Sequence, residues 1–175
     1  MTPYKDALTA AMTFLGQKDD TLFIGQQIVY AGNPMSTTLG NVDKDNKMIE
    51  VPVMEETQMG LSLGAAITGK KVVSFYPRWD FLISATNQLV NHVDKFKIMT
   101  GKDITMLIRV GKGSDKPLDP GHQHKGNYLE QYQALCPNIK FYNLLNTEII
   151  LQSYMEAYEQ GGVSILVEYP ELYYV

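Results

Sequence analysis

Two groups of residues in this chain have types and spacing suited to chemistry. The first is Val51-Pro52-Val53-Met54-Glu55-Glu56, which leads into Gly60, Gly64-Ala65-Ala66 and Gly69. Carboxyl groups at the head of a small-residue helix can exchange protons with a ligand. They can equally serve only as favourable charges at a helix N-terminus. The second group is His122-Gln123-His124, in a segment 111–126 that holds four Gly, two Pro and two His. Two histidines with no Cys or carboxylate pair at a suitable spacing do not make a zinc site, and no metal ligand set is expected. Gly111-Lys112-Gly113-Ser114 lacks the strand, loop and Lys-Ser/Thr order of a phosphate cradle, so it reads as an active-site lid or a plain turn. His92 lies inside a helical pattern and reads as a packed or surface residue.

The elements that must position these groups follow from hydrophobic period. Tyr4, Ala7, Leu8, Ala11, Phe14 and Leu15 recur at helical spacing, and Gly16 closes that run. Thr21 to Ile24 is a short apolar strand ending at Gly25. The segment Tyr30 to Lys47 is polar and Gly/Asn-rich and is expected to be a long loop. A helix is expected over Glu55 to Gly69, with Gly60, Gly64, Ala65 and Ala66 letting another backbone approach one face. Lys71 to Tyr76 is the next strand. Phe81, Ala85, Leu89, Val93 and Phe96 form one stripe of a helix over Phe81 to Met99. Strands at Ile104 to Val110, Ile139 to Tyr142 and Ser164 to Glu168, with helices at Tyr128 to Leu135 and Thr147 to Gln160, complete the pattern. Strands alternating with helices predict an α/β fold, a mainly parallel sheet with helices on both faces.

The chain has 175 residues, 45% hydrophobic, which suits one layered core, so a single domain over 1–175 is expected. A formal charge of −4 with scattered lysines gives no footprint for nucleic acid. No apolar run approaches the roughly 20 residues that cross a bilayer, and lone Cys136 forms no internal disulfide. The first residues carry no secretion-signal pattern. A cytoplasmic protein with no membrane partner is expected.

Taken in order, several segments together resemble the beta subunit of the decarboxylating component of 2-oxo acid dehydrogenases, of the pyruvate dehydrogenase type. They are Phe23-Ile24-Gly25; Val51-Pro52-Val53-Met54-Glu55 with its Gly/Ala-rich helix; Asn87-Gln88-Leu89-Val90-Asn91 with Lys95 and Gly101; Arg109; Gln123-His124; Cys136-Pro137; and Glu168 with Leu172-Tyr173. The resemblance implies a transketolase-like pyrimidine-binding domain of the thiamine-diphosphate superfamily. It implies that Glu55 hydrogen-bonds a ring nitrogen of the cofactor's aminopyrimidine and shifts its tautomer, a role helped by a raised pKa from burial. Phe81 takes the position of a ring that packs on the pyrimidine, Val53 lies in the same cofactor-binding segment, and Trp79 helps to wall the pocket; simple core packing is the other reading of the two aromatic rings. His124 takes the position of a histidine that contacts the substrate carboxylate or shuttles a proton.

Two positions depart from the family pattern. Gln26 stands where a glutamate is common, and Lys125-Gly126 follows His124 where Ser-Gln is usual. No Gly-Asp-Gly segment with a following Asn is present to hold magnesium and diphosphate, and no C-terminal transketolase-type domain is read. The resemblance therefore implies an enzyme half, with thiamine diphosphate shared and its magnesium held by a diphosphate-binding alpha-type partner, as a homodimer or heterotetramer acting on a small 2-oxo acid as an oxidoreductase. A transketolase-like or synthase half-enzyme, or a non-catalytic interaction or regulatory relative, stay open. Glu55 favours catalysis; Gln26 and Lys125 favour degeneration.

Overall fold

The computed structural model describes residues 3–30, 32–116 and 118–174. Six parallel strands lie in the order β2-β1-β3-β4-β6-β5. They are β1 (Thr21–Gly25), β2 (Met48–Glu50), β3 (Lys71–Tyr76), β4 (Thr105–Gly111), β5 (Lys140–Asn143) and β6 (Gly162–Glu168). The apolar runs of β3, β4 and β6 occupy the middle because both of their faces are covered. Period-two alternation divides them. Phe23, Val73, Leu107 and Leu166 face Leu8, Met12 and Tyr154 of the Tyr4–Gly16 and Ile150–Gln160 helices. Ile24, Val72, Met106 and Ile165 face Met59, Leu82 and Leu89 on the other side. The α/β class and the parallel sheet expected from the pattern are both present.

Three sequence expectations change. The first concerns 30–47, which is not an open loop: it contains a tight turn of helix at Met35–Leu39 and another at Lys44–Lys47, and buries Met35, Leu39 and Val42 against the Tyr4–Gly16 side of the core. The second is β2, which was not read at all. At three residues paired only with β1, it carries too little alternation to be seen.

The third is the Phe81 to Met99 helix. It begins at Trp79, tightens at Ile83–Ala85, widens to a π turn at Leu89–Val93 and resumes at Phe96–Thr100. The wide turn is closed by the Asp94 N–H donating to the Leu89 carbonyl at 2.8 Å. It lets the Asp94 carboxylate leave the helix and accept from the Asn138 N–H at 2.9 Å and its amide at 3.0 Å. The buried stripe is consequently Leu82, Ala85, Leu89, Val93 and Phe96, with Phe81 off it.

The small-residue helix, observed at Glu55–Ile67, docks on the sheet by polar contacts. Ser74 interrupts an apolar strand, and its hydroxyl meets those of Ser62 at 3.0 Å and the Gln58 amide at 3.2 Å; that amide also donates to the Phe75 carbonyl at 2.6 Å. All three side chains are buried, so leaving any of them unpaired would cost about 1–3 kcal/mol. On the outer side Gly60 and Gly64 would meet nothing within 4 Å if given a Cβ. Ala66, expected on that open face, instead packs into the core.

Cys136 is buried, and burial pushes its thiol up to about 12, which keeps it an inert core residue. Among the described residues no helix is long and apolar enough to cross a membrane.

Candidate active site

Because all strands are parallel, their carboxyl ends share one rim, where α/β sheets bind ligands. There β1 runs into Gln26-Gln27 and β3 into Pro77-Arg78. The turn after β1 is built by Glu50 at the end of β2. Its carboxylate accepts from the backbone N–H of Gln27 at 2.5 Å, Ile28 at 2.9 Å and Val29 at 3.0 Å. That cradle holds Gln27 at φ 55°, a left-handed conformation that side chains other than Gly rarely adopt. Gly25 is needed just before it, since a Cβ there would lie 2.6 Å from the Phe75 Cβ and 3.0 Å from an Ile28 methyl. Gly25→Ala is expected to lower stability by about 1–3 kcal/mol through overpacking, read as an earlier urea midpoint at unchanged slope.

A cleft of about 360 Å³ opens at this rim, and Gln26, Val53, Glu55, Arg78, Phe81 and Lys116 contribute to its lining. The structure thus brings together Val53, Glu55 and Phe81. Val53 is 80% exposed, an apolar side chain with free surface toward solvent. Glu55 stands in the first turn of its helix, one turn before the Gln58 anchor, and its carbonyl accepts from the Tyr76 hydroxyl at 3.2 Å. Among the described residues nothing is hydrogen-bonded to its half-buried carboxylate, which is free for a ligand. Glu56 points elsewhere and accepts from the amides of Asn87 at 3.2 Å and Gln88 at 3.4 Å.

Trp79 does not wall the cleft. Its ring is fully buried and stacks on Tyr132 at 5.1 Å, because the helix begins two residues earlier than expected and turns this position into the core. His124 is not in the cleft lining either. It lies behind Phe81, with ring centroids 5.2 Å apart, and its buried Nδ1 has no partner among the described residues. Its carbonyl accepts from Arg78 at 3.0 Å. Around it, Gly113 packs where a Cβ would come 2.1 Å from the Lys125 backbone, and the Gly113 N–H donates to Gly126 at 2.9 Å. The Gly-rich segment is therefore a close backbone crossing. Among the described residues no three His, Cys, Asp or Glu side chains gather as a metal site.

Sequence reasoning missed Arg78, Lys116 and Glu50. Arg78 had one available signal, its place just beyond a strand end; Lys116 and Glu50 had none, since loop convergence and a three-residue strand leave no periodic trace.

Arg109 and Glu168, singled out by the resemblance, form a buried fork below the rim. Arg109 donates to the two Glu168 oxygens at 2.5 and 2.9 Å and to the Thr38 hydroxyl at 3.2 Å. Tyr154 donates to the same carboxylate at 2.5 Å, and Tyr173 donates to it as well. Burial works against the Arg109 charge, but Glu168 more than offsets it and holds its pKa above the ordinary value.

The sheet order and the shared rim are those of a transketolase-like α/β fold. A solved structure titled split gene transketolase, inactive beta4 tetramer, superposes with a TM-score of 0.73 over 97% of this chain and 52% of its own, at 13% identity. In sequence the chain is similar to the pyruvate dehydrogenase E1 component subunit beta of Gracilaria tenuistipitata var. liui, 29% identical over 140 residues that make up 77% of this chain and 42% of the relative. It is also similar to the mitochondrial subunit of that name from Saccharomyces cerevisiae, 26% identical over 78% of this chain and 38% of the relative. The chain thus spans about two fifths of the length of these relatives. No family model matches it.

Proposed function

We propose that this chain is the pyrimidine-binding half of a thiamine-diphosphate-dependent enzyme that acts on a small 2-oxo acid, completed by a diphosphate-binding alpha-type chain. The observation that carries the reading is the Glu55 carboxylate, unpaired among the described residues at the head of its helix, in one cleft with Val53 and Phe81. That set fits an aminopyrimidine: one carboxyl group for a ring nitrogen, an aromatic face and an aliphatic contact, in a volume of about 360 Å³. When bound, thiamine diphosphate supplies carbanion stabilisation next to the substrate carbonyl. The chain's own part is to hold and exchange one proton at Glu55, to orient the ring with Phe81 and Val53, and to keep water off that face. His124 acts here as a positioning residue behind Phe81 rather than as a direct substrate contact.

Magnesium and diphosphate belong to the partner in this reading, and the assembly is a homodimer or heterotetramer. Support comes from the open Gly60 and Gly64 face and from the exposure of Val53, both unfilled in the single chain. A cytoplasmic location is part of the same proposal; lone, buried Cys136 is compatible with it.

Titrating thiamine diphosphate with magnesium into the chain alone, and into its mixture with a candidate diphosphate-binding chain, tests the reading. Heat of binding is expected only in the mixture. Silence in both would point to the non-catalytic relative.

A further inference from the structure

Five cations stand at or beyond the carboxyl ends of β3 and β4: Arg78, Arg109, Lys112, Lys116 and Lys125. Three are neutralised. Arg109 forks onto Glu168, Lys112 reaches Glu171 at 3.4 Å, and Lys125 meets Asp119 at 2.9 Å and Asp115. Arg78 and Lys116 are the two that line the cleft, and among the described residues neither forms an ion pair.

The Arg78 guanidinium makes one hydrogen bond within the chain, from Nη1 to the His124 carbonyl at 3.0 Å. Its other N–H groups have no acceptor among the described residues. It is half-buried, and burial holds its pKa below the usual guanidinium value, which nearby Asp80 offsets only in part. A partly desolvated cation with no contacting ion-pair partner is costly, and an anion that supplies two oxygens recovers that cost through charge-assisted hydrogen bonds. An aminopyrimidine held by Glu55 is a neutral ring and brings no such charge. With the cofactor's diphosphate assigned to the partner chain, the two cations are left for a different anionic group in the same cleft.

We propose that Arg78, assisted by Lys116, is the seat for the acid group of the substrate, a carboxylate or a phosphate monoester, within the cleft that holds Glu55. This rests on the thiamine-diphosphate reading and deepens it by assigning what grips the substrate. It also bears on substrate class, since a carboxylate marks a 2-oxo acid and a phosphate marks a phosphorylated sugar.

The test follows the Arg78 side-chain Nε–Hε signal by NMR in the full 175-residue chain, assigned by its loss in Arg78→Lys. Pyruvate, methyl pyruvate and inorganic phosphate are the probes. A saturable shift with pyruvate or phosphate, and none with methyl pyruvate at equal concentration, is the expected result. The Phe81 backbone amide is followed in parallel and serves as the readout where the guanidinium is gone: there Arg78→Gln should raise the half-saturating concentration about tenfold or more, and Lys116→Gln, read at either signal, by less. Saturation by pyruvate alone identifies a carboxylate seat, and saturation by phosphate alone a phosphate seat.

A purely structural Arg78 would leave charged and neutral probes alike, and equal responses, or an unchanged midpoint in Arg78→Gln, overturn the assignment. Melting temperatures of the variants separate misfolding from lost binding, with Arg78→Lys retaining charge if the Gln variant unfolds. The fate of the cofactor reading is read independently, from thiamine diphosphate binding in the mixture with the partner chain. Cofactor binding without anion binding sinks the seat alone, and anion binding without cofactor binding sinks the cofactor reading alone.

Discussion

Under the proposed function, Glu55→Gln is expected to lower turnover of the assembly with a diphosphate-binding chain by about 100-fold or more, with folding essentially intact. The size of the effect follows from the loss of an exchangeable proton at the one carboxyl group that, among the described residues, lines the cleft. The substitution is close to isosteric. Because the Glu55 carboxylate makes no hydrogen bond with the described residues, nothing inside the chain is left unpaired by it. What folding loses is the charge in the first turn of the Glu55–Ile67 helix, worth about 0.3–1 kcal/mol. Initial rates of 2-oxo acid consumption, set beside urea unfolding of the same protein, separate the two quantities. Glu55→Asp keeps the proton but withdraws it by one methylene, so it should fall between wild type and Gln. Full activity in Glu55→Gln would sink the assignment of this residue.

The largest effect on stability is expected away from the cleft. Glu168→Gln leaves the fully buried Arg109 charge facing a neutral amide, with its Nη1 already without a partner. Removing one side of a buried pair costs about 3–5 kcal/mol, which for a chain of this size lowers Tm by roughly 6–20 °C. Tyr154 and Tyr173 both donate to the lost carboxylate, and the cation rests on the Phe75 ring at 4.4 Å, so the loss is felt on the Ile150–Gln160 helix, at Tyr173 and on β3. The paired replacement Glu168→Leu with Arg109→Met removes both charges and should recover most of the loss, because two desolvation penalties vanish together. Thermal melts by circular dichroism decide the matter: a double variant as unstable as Glu168→Gln would mean that the hydroxyl network, rather than the unpaired charge, dominates.

The buried pair also shows what a sequence resemblance can and cannot carry. Arg109 and Glu168 were recognisable as motif members, yet only the register of β4 against β6, with Arg109 opposite Leu166 and Gly111 opposite Glu168, explains how the long Arg side chain spans to the carboxylate. Trp79 and Phe81 make the same point at shorter range. Both were placed at the cofactor, and a helix beginning at Trp79 sends the indole into the core while Phe81 stays at the rim. A start shifted by two residues rotates side chains by about 200° around a helix axis, so boundary error became error of facing.

By itself the sequence determined the succession of strands and helices, the parallel sheet and the location of Glu55 at a helix head. Those properties are encoded locally, in apolar residues repeating every two or every three to four positions and in Gly at element ends. Tertiary structure alone decided how the cleft is completed around Glu55, Val53 and Phe81. Arg78, Lys116 and Gln26 come from three different strand-end loops, and Glu50, which holds the turn after β1 beside the cleft, from a strand of only three residues. Their meeting depends on which carboxyl ends become neighbours once the strands take the order β2-β1-β3-β4-β6-β5. Sheet order is fixed by long-range pairing and burial on both faces, so proximity across that rim leaves no periodic signature in the chain.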